Sequence, residues 1–119
     1  MECIEIYAAQ NGHSQFRSIS VFEASPVLFA GTTVSLSAPT PCETALVHEF
    51  PADYLMSWHN PPCKQYVVVL EGMLEISVHG GATQRFGQGA MFLAADLTGT
   101  GHTTRALEAG RALVLNLEA

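Results

Sequence analysis

The sequence predicts an all-β fold, and three observations carry that prediction. Its apolar segments are short, about strand length, and rich in β-branched and aromatic residues. Gly, Pro, Asn or Thr interrupts them at close intervals. No window keeps a 3.6-residue period over the length of a helix. Strands so short and numerous need a sandwich, a jelly roll or a barrel to manage their edges.

Taken in order, residues 16–22, 27–29, 33–36, 45–50 and 54–59 are expected strands, with Pro39, Pro41 and Pro51 marking bends because proline cannot donate to a ladder. Residues 66–70 form a continuous apolar run ended by Gly72, as expected of a strand buried on both faces. The clearest hairpin spans 74–86. Leu74, Ile76 and Val78 alternate with Glu75, Ser77 and His79, Gly80-Gly81 supplies a two-residue turn, and 82–86 returns. Further strands are expected at 90–94, 102–107 and 111–117, with Leu113, Leu115 and Leu117 on one face of the last.

A chain of 119 residues fits one domain. Apolar residues make up 48% and charged residues only 13%, against about 25% charged in an ordinary soluble domain. So few charges point to a surface partly covered by a second copy, and a homodimer is the expected assembly. The net charge is −6 and Lys64 is the lone lysine. A phosphate backbone would find no basic patch, which argues against nucleic-acid binding. The start MECIEIYAAQ has acids where a signal peptide needs basic residues. No run reaches the roughly 20 apolar residues of a membrane span, so no membrane partner is expected. Cys3, Cys42 and Cys63 form an odd set without a CxxC spacing, which suits free thiols in the cytoplasm.

From residue 51 onward a more specific pattern emerges: Trp58-His59-Asn60-Pro61-Pro62, Gln65, Leu70, Gly72, Glu75, Gly81, Phe86-Gly87-Gln88-Gly89 and the run Asp96 to His102. In these residues the chain resembles the cupin superfamily, within it the small single-domain bacterial cupins. In the first cupin motif, G-x5-H-x-H-x(3,4)-E-x6-G, Pro51 stands at the first Gly, Ser57 at the first His, His59 at the second, Gln65 at the Glu and Gly72 at the closing Gly. In the second, G-x5-P-x-G-x2-H-x3-N, Gly89 takes the first position and Ala95 replaces the proline. His102 arrives two residues late, and Ala106 replaces the Asn. The resemblance implies a jelly-roll, or double-stranded β-helix, barrel over 1–119, with residues 1–50 as N-terminal strands that can form a dimer and 51–119 carrying the motifs.

The resemblance also implies a pocket inside the barrel. Its candidate residues are His59, Gln65 and His102, with Trp58 and Asp96 beside them as further ligand-binding candidates. Metal-binding cupins hold one divalent ion with two His, a Glu and the second-motif His. Here His59 and His102 could offer imidazoles, but Ser57 replaces the first His and Gln65 brings only a neutral carbonyl oxygen. Two readings follow. The first is a small-molecule-binding protein whose polar residues orient the ligand. The second is a metal-dependent enzyme, oxygenase- or isomerase-like, holding Fe, Ni, Mn or Zn through His59, Gln65 and His102 and acting on a small anionic substrate. Asp96 is read either as a turn-former or as an additional carboxylate. Trp58 is read as a packing residue or a ligand-stacking one. A catalytic role for Cys63 is disfavoured, and His13, His48 and His79 have no partners by motif.

Overall fold

A computed structural model of the chain describes residues 1–117. The strands are β1 (Glu2–Ala8), β2 (Ser14–Ser20), β3 (Ala24–Phe29), β4 (Thr32–Ser37), β5 (Cys42–Phe50), β6 (Leu55–His59), β7 (Gln65–Ser77), β8 (Thr83–Phe86), β9 (Met91–Ala95) and β10 (His102–Leu117). No helix occurs among the described residues, so none is long and apolar enough to cross a membrane. The main sheet runs β2-β1-β9-β7-β10-β5, with β6 added to β10 and β8 to β7, while β3 and β4 pair only with each other. This is the all-β jelly roll that the sequence predicts.

Two long strands carry the fold. The apolar run at 66–70 and the alternating run at 74–78 are one strand, β7, and the segments expected at 102–107 and 111–117 are one strand, β10. Gly72 and Gly110 bend these strands where they cross. At Gly72, φ is +88°, and a Cβ there would lie 2.7 Å from the Ala109 carbonyl oxygen. A Cβ on Gly110 would collide with the Glu71 carbonyl. The ladder between the strands slips register at Ala106/Glu108, Glu108/Arg111 and Arg111/Ala112, just where the glycines sit. The glycines therefore bend strands that the sequence reading ended.

Two other expectations need correction. The hairpin pairs Ser77 with Thr83, and Val78 donates to the Ala82 carbonyl at 3.0 Å, so its loop is His79-Gly80-Gly81 rather than Gly80-Gly81 alone. Both glycines have positive φ, 95° and 92°, which lets the wider turn close. The N-terminal residues, which showed no clear strand pattern, form β1 in the middle of the sheet, parallel to β9 with Ile4 opposite Phe92. Within residues 1–50, β1 helps build the barrel wall, whereas β3 and β4 stand apart as an exposed ribbon.

Strand alternation sorts the apolar side chains into two clusters. The larger, including Ile6, Val67, Val69, Leu74, Phe92, Ala94, Ala112 and Val114, fills the inside. The smaller, Cys3, Tyr66 and Leu93 with Phe22, Leu115 and Leu117, covers the other face of β1, β9 and β7. These strands are therefore covered by apolar side chains on both sides.

Candidate functional site

Within the larger cluster the barrel leaves a cavity of about 210 Å³. The inward positions of five strands line it: Leu46, His48 and Phe50 on β5, Met56 and His59 on β6, Gln65 and Val67 on β7, Phe92 and Ala94 on β9, and His102, Thr104, Ala112 and Val114 on β10. None of its lining residues is Asp, Glu, Lys or Arg. His59, Gln65 and His102, expected to share a pocket, all line this cavity.

A bulge brings His59 there. His59 pairs with His102 and Met56 with Thr104, so Ser57 and Trp58 together stand opposite the single residue Thr103. Regular alternation would turn Ser57 inward beside His59. The bulge instead turns Met56 and His59 inward and leaves Ser57 exposed. Trp58 is 51% exposed and does not line the cavity, so it is not positioned to stack on a ligand there. From the other side, Gly101 seats His102 against His59. Its φ is +72°, and a Cβ would strike the His59 carbonyl. The two imidazole centroids are 4.5 Å apart in an edge-on arrangement.

Each ring is held from behind. His59 Nδ1 lies 2.7 Å from the Ser57 carbonyl oxygen. His102 Nδ1 lies 2.7 Å from Asp96 Oδ2, and the Ser14 hydroxyl donates to the same oxygen at 2.6 Å. Asp96 is fully buried and does not line the cavity. It stands behind His102 and holds the ring from Nδ1, as carboxylates behind histidines do. Its Oδ1 is the one buried side-chain polar atom without a partner among the described residues. Asn60 ties the Asp96 backbone in place by donating to its carbonyl at 2.9 Å.

Gln65 donates from Nε2 to Asn116 Oδ1 at 2.9 Å, and Asn116 in turn donates to Thr44 Oγ1 at 3.0 Å. Cys63 is half-buried with its thiol 3.6 Å from Asn116 Oδ1, away from the cavity. His13 and His79, unpartnered by motif, face each other outside the cavity with ring centroids 4.0 Å apart.

Two aromatic lining residues escaped the sequence reading. His48 lies edge-on to Tyr54, centroids 5.8 Å apart, and both line the cavity. A signal for His48 existed: Leu46, His48 and Phe50 alternate along an expected strand. Ser14 lies far from either motif, and its bond to Asp96 has no local signature.

No family model matches the chain, and no curated protein matches it. Solved structures do. An RmlC-like cupin protein from Desulfovibrio desulfuricans aligns with a TM-score of 0.51 and 23% identity, covering 79% of each chain. The DMSP lyase DddQ from Ruegeria pomeroyi aligns with a TM-score of 0.54 and 23% identity, over 82% of this chain and 47% of that one. The cupin domain of Schizosaccharomyces pombe Cnp3 aligns with a TM-score of 0.50 and 15% identity, over 99% of this chain and 83% of that domain. Identities this low speak for the fold alone, and what they show is that the chain has the jelly-roll fold of the cupins.

Proposed function

We propose that this cupin binds a small molecule in its barrel cavity, with His59, Gln65 and His102 at the polar end. The observation that carries this reading is the convergence of three side chains from separate strands on one apolar, unplugged cavity. Cavities that are mostly apolar, with a few polar groups fixed from behind, are the ordinary form of ligand sites. A fragment screen by ligand-observed NMR tests it. Binders should be found, and the double variant His59→Ala/His102→Ala should lose them while keeping the wild-type fold by circular dichroism. Unchanged binding in that variant would end this reading.

The residues present do not fit a catalytic divalent ion. Such an ion takes three strong protein ligands and keeps one open position. Here the first-motif position, Ser57, points away from the cavity, and Gln65 supplies a neutral amide oxygen. Among the described residues, no three His, Cys, Asp or Glu side chains gather where one ion could be held. The lyase chemistry named for DddQ belongs to that protein.

The proposal extends to assembly. Val27, Leu28, Phe29 and Leu36 on the β3–β4 ribbon, Val47 on β5, and Leu55 and Trp58 on β6 are all exposed. An isolated two-stranded ribbon is marginal in water, and so much exposed apolar surface marks an interface. A homodimer covering these residues accounts for both, and for Trp58. Three free cysteines agree with a reducing, cytoplasmic setting.

A further inference from the structure

We infer that the cavity selects uncharged molecules that donate a hydrogen bond, and rejects anions. A hydroxylated monocycle is the simplest ligand with that chemistry. The inference rests on the reading of the cavity as a small-molecule site and names what that site recognises.

The argument runs through the two imidazoles. The partner of His59 Nδ1 is a backbone carbonyl, which can only accept, so Nδ1 carries the proton. The partner of His102 Nδ1 is a carboxylate oxygen that already accepts from Ser14, so Nδ1 carries the proton there as well. In a neutral imidazole the other nitrogen is then an acceptor. Nε2 of each neutral ring presents a lone pair, and neither Nε2 has a protein partner among the described residues. Gln65 adds to this. One N–H of its amide is given to Asn116, whose own amide donates to Thr44, so Oε1 is left as a third acceptor beside the second N–H.

With both imidazoles neutral, the polar end of the cavity thus offers three acceptors against one amide N–H and no Lys or Arg, with the Asp96 carboxylate buried behind one of the rings. An anion would face lone pairs and a buried negative charge. A hydroxyl would be matched, and a ligand without a donor would leave acceptors unpaired in an apolar site, a mismatch that costs about tenfold or more in affinity. The expectation of an anionic substrate, which went with a bound metal ion, is reversed. The rest of the lining is aliphatic and aromatic, and a volume of about 210 Å³ suits one ring with a substituent. For scale, an engineered cavity of about 150 Å³ admits benzene.

Three probes of nearly equal shape test this on the full chain after treatment with chelator: 4-methylphenol, 4-methylanisole and 4-methylbenzoate. Affinity is read by calorimetry, and the histidine ring nitrogens by ¹⁵N NMR. The phenol should bind at least about tenfold tighter than either of the others, and it should move the Nε2 signals of His59 and His102 from acceptor-type positions. Equal affinity for the anisole, or tighter binding of the benzoate, overturns the inference while leaving the small-molecule reading intact. So does an unliganded spectrum in which either Nε2 carries a proton. Nε2 signals that respond to Zn²⁺ or Ni²⁺ but not to the phenol assign the lone pairs to a metal ion and also overturn it. If none of the three probes disturbs any cavity resonance, the small-molecule reading fails together with the inference.

Discussion

Asp96 concentrates the polar cost of the site in one side chain. Oδ2 receives both the Ser14 hydroxyl and the His102 ring N–H, while Oδ1 receives nothing. Replacing it with Asn removes the charge that strengthens both bonds. Asp96→Asn should therefore lower unfolding stability by about 1–3 kcal/mol, measured by chemical denaturation, and should loosen His102 and weaken ligand binding. Ser14→Ala should cost less, about 1 kcal/mol. A second residue-scale expectation concerns the outer cluster. Burial pushes the Cys3 thiol and the Tyr66 phenol above their ordinary values. In the folded chain they keep their protons to a higher pH than in the unfolded chain, so the folded state binds more protons there and stability falls as pH rises. Denaturation midpoints should drop progressively above about pH 8.5, where thiols and then phenols ordinarily ionise. The double variant Cys3→Ala/Tyr66→Phe should flatten that slope.

At the scale of the element, the bend shared by β7 and β10 is the feature most exposed to a single atom. Gly110→Ala places a methyl group into the Glu71 carbonyl, and neither backbone can move without breaking the ladder. We expect a loss of more than about 2 kcal/mol, within the range of severe backbone effects, read as a fall in melting temperature. That bend also shows where sequence legibility stops. The all-β class, the two apolar runs of β7 and the glycines themselves are plain in the sequence, but a glycine that ends a strand and one that bends it look alike without the partner strand. β1 was hidden for a related reason: Cys3, Glu5 and Ile6 are all buried, so no alternation survives to mark it. Its parallel partner β9 also lies far along the chain. His59, Gln65 and His102 were legible through motif spacing. The inward turn of Met56 was not, because a bulge leaves no sign in composition. Asp96 was legible as a residue of interest, but its bond partner Ser14 comes from the first hairpin.

For the whole molecule, the uneven distribution of apolar surface is the dominant fact. The inner cluster is buried, while the β3–β4 ribbon and β6 expose Leu28 at 73%, Phe29 at 65% and Leu55 at 62%. On the proposed homodimer, these strands are where a second copy would sit. Sedimentation should find the wild type as a dimer. The double variant Leu28→Ser/Phe29→Ser should sediment as a monomer with its secondary structure retained. A monomeric wild type would remove the need for any partner on this face.

The bulge in β6 carries a lesson about how this barrel could change its chemistry. Because Met56, and not Ser57, stands opposite Thr104, installing an imidazole by Ser57→His would hang the new ring in solvent. Deleting Met56 as well would straighten the strand and slide position 57 into the vacated inward place, beside His59. The distance between a site that greets hydroxyls and one with the paired imidazoles of a metal centre is thus counted in chain length as well as in side chains. An insertion or deletion, which substitution scans never sample, is the step that separates the two.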